Sequence, residues 1–378
     1  MLYIHIPFCK GKCIYCDFYS AGVPLRQPFI KALVNELSLR RNELAECLPS
    51  IYIGGGTPSL LTPSEFHELT ASVFEILKQQ NVRLAADFEF TVEANPEDVN
   101  ADRIRAWREA GVNRVSLGVQ SLDDNELRFL KRRHDAGRAL EAIEKIASQF
   151  NNFSLDFIYA IPGQTLGSLE SSISQALLFN PPHISVYALT YEEGTPLDVL
   201  RRRGDFEAAS DDLYNVMDEK VAKWLERGGL ERYEISNFAK PGFRARHNSG
   251  YWQFLPYLGL GPSASSFDGK NTRRINRFDL KGYINHFSLA ADVSAPFFEE
   301  EKLSFSDKMI EFIMVSLRRK EGIGLKKFEL EFGYPQLKNL LDKSLSFVKS
   351  GHLSATPDFL SLTKKGIHIS DFIISCLI

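Results

Sequence analysis

Residues 9–16 read Cys9-Lys10-Gly11-Lys12-Cys13-Ile14-Tyr15-Cys16, three cysteines at C-x3-C-x2-C spacing behind the apolar run Leu2–Ile6. That run reads as a buried strand, and Pro7 ends it and opens a loop. Three thiolates on one tight loop can hold three irons of a cubane [4Fe–4S] cluster and leave the fourth iron open to a substrate or cofactor. An electron-transfer ferredoxin would supply a fourth cysteine nearby. Zinc is the competing reading, but it takes four Cys or His ligands in paired spacings, and only His5 lies near.

Other side chains capable of chemistry fall in glycine-rich or apolar settings. Gly54-Gly55-Gly56-Thr57-Pro58 lacks Cβ atoms where backbone can press against a ligand, and no lysine follows as in a phosphate loop. Glu93 and Asp156 sit in apolar runs, where a carboxylate is costly unless it is bonded. Arg132 offers a planar fork for a carboxylate. His247, in His247-Asn248-Ser249-Gly250-Tyr251-Trp252, offers an imidazole beside aromatic rings.

The elements that must position these groups alternate in type. Strand-like runs at 2–6, 50–53, 87–93, 114–118, 153–158 and 183–187 are separated by amphipathic stretches. Thr62-Pro63-Ser64-Glu65 is a capping box with proline at the first helical position. Asn100 can cap a helix that Gly111 ends, and Gly228-Gly229 closes another from about Ser210. Six β-then-α units imply an α/β fold with a parallel sheet and right-handed crossovers. Open sheets and barrels both satisfy that pattern. The chemical residues follow strand after strand, as at the C-terminal mouth of a barrel, so an incomplete (β/α)6 barrel is expected. Further on, 230–238 reads as one more strand and 258–264 as a close-packed glycine turn near the site. Residues 292–301 mix proline with acidic side chains and mark a boundary. Helical stretches at 302–319, 324–332 and 336–350 precede a hairpin at 360–366, the order of a winged helix. The expected divisions are 1–238, 239–298 and 299–378.

Tyr3-x-His5-Ile6-Pro7-Phe8-Cys9-x3-Cys13-x-Tyr15-Cys16 resembles the opening of radical S-adenosylmethionine (SAM) enzymes. Within them it is similar to the group of oxygen-independent coproporphyrinogen III oxidases and HemW-type haem chaperones, and the likeness runs over most of the chain. The resemblance implies a radical SAM barrel with a small, mostly helical, winged-helix-like C-terminal domain. It also implies a [4Fe–4S] cluster on Cys9, Cys13 and Cys16, whose open iron is chelated by the amino and carboxylate groups of SAM. One electron then splits the sulfonium to methionine and a 5′-deoxyadenosyl radical. The family pattern places SAM near Tyr3, Tyr15, Gly55, Gly56, Thr57, Glu93, Gln120, Arg132 and Asp156. His247 matches the His-Asn-x2-Tyr-Trp motif of the HemW-type proteins, where the histidine is proposed to serve haem; the motif lies outside the expected strands.

Two function classes follow from the resemblance, a porphyrinogen decarboxylase and a haem-delivery protein. The oxidases carry a further cysteine where this chain reads Cys16-Asp17-Phe18, and an N-terminal extension ahead of the first strand. Both departures, with the His247 motif, favour the chaperone. Its implied partners are haem, recipient apo-haemoproteins and an electron donor such as flavodoxin or ferredoxin. Membrane contact would be peripheral, through client proteins.

Bulk properties fit that reading. Of 378 residues 44% are hydrophobic, ample for a core, and the net charge of −3 has no long run of one sign. No nucleic-acid partner is called for, and the slight basic excess near the C-terminus argues against DNA binding by the winged-helix-like part. No apolar stretch reaches the ~18 residues of a membrane span. The N-terminus lacks a basic signal-peptide region, so a cytoplasmic location is expected. Cys47 and Cys376 stand alone and read as buried, inert thiols.

Overall fold

The computed structural model describes residues 1–288 and 296–378. Six strands form where the apolar runs lie: β1 (Leu2–Ile6), β2 (Cys47–Gly55), β3 (Arg83–Ala94), β4 (Arg114–Gln120), β5 (Phe153–Tyr159) and β6 (His183–Ala188). They pair in parallel in sequence order. The main helices between them are α1 (Arg26–Leu39), α2 (Pro63–Gln79), α3 (Ala101–Glu109), α4 (Asp124–Phe129), α5 (Ala136–Ala147) and α6 (Leu166–Leu177). Helices α7 (Pro196–Arg203) and α8 (Asp211–Arg227) follow β6. The capping signals hold. Thr62 and Glu65 bond reciprocally at the start of α2, and the Asn100 side chain accepts the Arg103 N–H at the start of α3.

Each strand has two chemically different faces. Leu2, Ile4, Ile6, Ile51, Ile53, Phe90, Val92, Val115, Leu117, Leu155, Phe157, Ile184 and Val186 join the helices in one continuous core. This shell, not the lumen, carries the apolar burial, at about 1.5–3 kcal/mol for each large side chain. The alternate positions face the lumen and are polar: Ser50 and Tyr52, Glu89 and Glu93, Arg114 and Ser116, Ser154 and Asp156, His183 and Ser185. They satisfy one another across strands, as in Ser116 to Asp156 at 2.9 Å and Ser154 to His183 at 2.8 Å, and along β5, where Ser154 also donates to Asp156 at 2.9 Å. A hydrogen-bonded lumen keeps buried polar groups paired, as their desolvation requires.

Residues 230–238 form a short hairpin where one strand was expected. Strands β7 (Glu231–Arg232) and β8 (Asn237–Ala239) pair antiparallel, because the Glu234 carboxylate accepts the Ser236 N–H and bends the chain between them. β8 also runs antiparallel to β6 and ends the parallel series. After α9 (Arg246–Trp252), the expected glycine turn is a strand, β9 (Leu258–Leu260), parallel to β1. Gly259 permits this, since a Cβ there would lie 2.0 Å from the Ser265 carbonyl oxygen of the returning chain. That chain continues as β10 (Ser265–Phe267), β11 (Thr272–Asn276), α10 (Leu280–Ser288) and β12 (Phe298–Lys302), the three strands forming one antiparallel sheet. The sheet crosses the 298/299 division, and the 239–298 segment joins the barrel through β9. Part of the expected 292–301 boundary lies outside the described residues.

The C-terminal part has its own core, built on Phe312, Leu317, Phe328, Leu340, Leu360 and Ile373 among others. Its elements are α11 (Phe305–Leu317), β13 (Ile323–Gly324), α12 (Leu325–Phe332), α13 (Tyr334–Lys349), β14 (Leu353–Ala355), β15 (Phe359–Leu362), α14 (Lys364–Ile367) and α15 (Ser370–Leu377). The order α11, β13, α12, α13, β14, β15, with all three strands in one small sheet, is winged-helix-like. The hairpin is β14 with β15, earlier than expected, because Thr363 caps α14 by accepting the Gly366 N–H. Cys47 and Cys376 are both exposed, a correction to their reading as buried thiols. No helix among the described residues is long and apolar enough to cross a membrane.

Candidate functional site

The cysteine loop leaves β1 and is tied at its base. Cys9 N–H donates to the Ala21 carbonyl at 3.1 Å and Ala21 N–H to Pro7 at 2.6 Å, while a turn joins Cys16 N–H to Cys13 O at 3.2 Å. This places the loop at the C-terminal end of the parallel strands. All three thiols are half-buried, and burial pushes those of Cys9 and Cys16 up, so iron must displace a proton at each. No group of three His, Cys, Asp or Glu among the described residues is gathered to hold a single metal ion. A cubane asks for something different, thiolates spread over three separate corners. The donor set, three thiols on one loop with no fourth local cysteine, fits such a cluster.

Strand ends around the loop bring several expected residues together. Thr57 Oγ1 lies 3.4 Å from Cys9 Sγ and accepts from Asn95 Nδ2 at 3.3 Å. Arg132 reaches Cys13 Sγ at 3.4 Å, Asn95 Oδ1 at 2.6 Å and the Gly118 carbonyl at 2.8 Å. Its Nε is buried without a partner, and no carboxylate among the described residues lies within ion-pair distance of it. A cation held by neutral acceptors beside the cysteines keeps its charge for an anionic ligand. Gln120 has φ +68°, at the bulge where β4 slips against β5, and its amide packs over Gly118 beside Arg132. Such strain persists only where the surroundings hold it. Tyr15 packs on Leu130 and Ile158, and burial holds its phenol well above the usual range.

The glycine segment presses on the protein itself. A Cβ on Gly55, at φ +106°, would meet the His5 ring at 2.5 Å, and one on Gly56 would meet the Phe8 carbonyl oxygen at 2.8 Å. These glycines seat the segment against β1 and the base of the cysteine loop, with Gly56 N–H bonded to the Ile6 carbonyl at 2.8 Å. A valine at Gly56 would therefore disturb the cysteine loop along with any ligand cradle.

Glu93 is fixed by Tyr52 Oη at 2.6 Å and the Gly55 N–H at 3.0 Å. Burial raises its carboxyl to about 7, partly offset by those bonds. The folded state thus holds a proton that the unfolded chain has released above its ordinary value of 4.5. This contribution favours folding at low pH and is lost as pH rises through 7. Thermal melts of wild type and Glu93→Gln at pH 5 and pH 8 test this: the wild type should lose more stability across the interval, and equal losses would mean Glu93 titrates normally. Asp156, bonded by Ser116 and Ser154, is likewise raised by burial and lies close enough to Glu93 to raise it further.

Tyr3 and His247 lie elsewhere, deeper in the lumen. Tyr3 Oη meets His5 Nδ1 at 3.1 Å. His247, 1% exposed, sits at the start of α9 under the barrel. Its Nδ1 faces Ser50 Oγ at 2.9 Å, its Nε2 faces Tyr251 Oη at 2.9 Å, and its backbone N–H donates to Glu89 at 3.1 Å. Burial, the N-terminal ammonium and Arg114 hold its imidazole down to about 3. Neutral and engaged at both nitrogens, it presents no lone pair to an iron, so the geometry does not support the axial-ligand role expected for it. Sequence reasoning passed over Tyr52, Asn95, Arg114 and the lumen serines; the signal was the alternation of polar with apolar residues inside strands that read as simply buried.

A cavity of about 480 Å³ opens beside β1. Tyr3, His5, Phe18 and Tyr19 line one side, and Tyr251, Phe267 and Arg273 line the other with Glu311 of α11. Phe18 and Phe278 at this cavity remain 68% and 65% exposed.

An incomplete parallel barrel with C-x3-C-x2-C at its C-terminal mouth defines a radical SAM protein. The Radical SAM superfamily model matches residues 3–176, and the HemN C-terminal domain model matches residues 303–369. Bacillus subtilis heme chaperone HemW is 35% identical, over 91% of this chain and 91% of its own. Heme chaperone HemW of Escherichia coli is 34% identical, over 97% of this chain and 94% of its own. The chain belongs to the HemW family of radical SAM proteins. Its cofactors are accordingly a [4Fe–4S] cluster and SAM. The Escherichia coli coproporphyrinogen III oxidase HemN, a radical SAM enzyme, superposes with a TM-score of 0.81 at 20% identity, covering 100% of this chain and 89% of that one, a likeness of fold.

Proposed function

We propose that this protein is a haem chaperone, which binds haem and delivers it to apo-haemoproteins, and that it does not decarboxylate coproporphyrinogen III. The observation that carries the reading is its match over nearly the whole chain to relatives described as heme chaperones. Phe18, where the oxidases carry a further cysteine, supports it, since this ring stands exposed at an aromatic cavity.

Cys9, Cys13 and Cys16 hold the cluster in this reading. When bound, the cluster would offer an open iron to SAM and the electron for radical chemistry, with the surrounding residues meeting the amino and carboxylate groups of SAM. Arg132 faces the carboxylate, with Asn95 and the Gly118 carbonyl holding its fork in place. Glu93, poised by Tyr52, accepts from the SAM amino group or ribose. Gly55, Gly56 and Thr57 shape the wall beside the cysteines, while Gln120 and Asp156 lie toward the adenosine end. Tyr15 shields the far side of the loop from water, and Tyr3 belongs to the haem cavity. A low-potential protein such as flavodoxin or ferredoxin supplies electrons in the cytoplasm, and any membrane contact comes through the recipient.

Haem titration of the anaerobically reconstituted protein, run beside a decarboxylation assay with coproporphyrinogen III, SAM and reductant, tests the reading. Saturable haem binding without protoporphyrinogen IX is expected. Formation of protoporphyrinogen IX would restore the oxidase.

A further inference from the structure

We propose that Asn95 is a positioning residue for the iron–sulfur cluster: its side-chain amide sets the hydrogen bonds that Thr57 and Arg132 give to Cys9 and Cys13, and so holds the cluster's reduction potential up. The inference rests on the assignment of Cys9, Cys13 and Cys16 as cluster ligands and is independent of haem.

The three side chains come from separate parts of the barrel mouth. Thr57 follows β2, Asn95 follows β3, and Arg132 lies between α4 and α5. Pro96 confines the residue before it to extended backbone, and Asn95 has φ −100° and ψ 146°. Its N–H donates to Ser59 Oγ at 3.2 Å and its carbonyl accepts from the Asp98 N–H at 3.0 Å, so the backbone under the amide is fixed. Gly118 leaves room for that amide, since a Cβ there would stand 3.3 Å from Asn95 Oδ1.

Donor and acceptor roles follow from what each group can do. A guanidinium only donates, so the Asn95 atom 2.6 Å from Arg132 is the carbonyl oxygen. The amide nitrogen therefore turns to Thr57 Oγ1 at 3.3 Å and occupies an acceptor site on it. That leaves the threonine hydroxyl proton for Cys9 Sγ, 3.4 Å away. Arg132 donates from one nitrogen to Cys13 Sγ at 3.4 Å, while Asn95 and the Gly118 carbonyl hold the other. One neutral amide thus aims a hydroxyl at one thiol and a cation at another. The cysteine loop has donors of its own, with Ser20 at Cys9, Tyr15 at Cys13 and the Phe18 N–H at Cys16. Those belong to the loop; the Asn95 pair ties it to the neighbouring strand ends. Reduction of a cluster spreads negative charge onto its sulfurs, so a donor to sulfur stabilises the reduced form more and raises the potential. The effect is largest where water is scarce, and Thr57 is only 6% exposed.

The test uses the full chain, reconstituted anaerobically without SAM. Its readouts are iron content, midpoint potential from a redox titration followed by electron paramagnetic resonance, and iron–thiolate Raman modes in H2O and D2O. Asn95→Leu should keep about four irons per chain, titrate at a lower potential and show a smaller deuterium shift of those modes. Thr57→Val should also lower the potential, and Thr57→Ser should restore it. In the double variant the two decreases should sum to less than their separate values, since both remove the same hydrogen bond. The threonine pair carries the test if Asn95→Leu fails to load: equal midpoints for Thr57→Val and Thr57→Ser overturn the proposal. A fully loaded Asn95→Leu protein with the wild-type potential and deuterium shift also overturns it and leaves the cluster ligands standing. Wild type that takes up no iron overturns both, so iron content tells the two failures apart.

Discussion

Changing Cys9, Cys13 or Cys16 to alanine should take the anaerobically reconstituted protein from about four irons and four sulfides per chain to near none. In the proposed site each thiol would cap a different iron of the cubane, and the loop carries no spare cysteine to replace a lost one. The two remaining cysteines cannot substitute, since Cys47 opens β2 and Cys376 lies in α15. The fold should survive the change. The loop is closed by backbone bonds from Cys9 to Ala21 and from Ala21 to Pro7, which no side chain alters. Far-ultraviolet circular dichroism should therefore match wild type while iron content collapses. Zinc bound in place of iron, or alanine variants that keep their iron, would remove the cluster assignment.

A second large effect is expected on stability. His247→Ala should lower the unfolding free energy by about 2–4 kcal/mol, from a cavity under the barrel and two hydroxyls stripped of their partner. Ser50 sits within the sheet at 0% exposure, and Tyr251 is itself packed on Tyr257, so neither hydroxyl gains easy access to water. Loss of the ring also removes contacts to Tyr52, 5.0 Å away between centroids. Urea denaturation of the metal-free chain measures the change without any cofactor. A midpoint equal to that of wild type would mean the histidine is not a structural tie. This outcome is independent of haem, which is why stability and haem retention have to be measured separately on the same variant.

Much of this protein is legible in its sequence where the signal is local. The cysteine spacing, the capping box at Thr62, the Asn100 cap and the six apolar runs depend on neighbours a few residues away, and all appear where expected. The alternation inside β3, β4 and β5 was equally present but passed for simple burial, since a strand covered on both faces hides which face is polar.

What only the tertiary structure decided concerns partners distant in sequence. Leu258–Leu260 became a strand because the open edge of β1 offered it backbone partners 256 residues away, at Leu2 and Ile4. Gly56 is fixed by the base of the cysteine loop, not by anything in its own segment. His247 shows the same logic most sharply. Its motif announced an imidazole beside aromatics, but whether that imidazole faces a ligand depends on Ser50, Glu89 and Tyr251 closing around it. Residue type sets what a side chain can do; burial and its hydrogen-bond partners, assembled from across the chain, decide which of those things it is free to do.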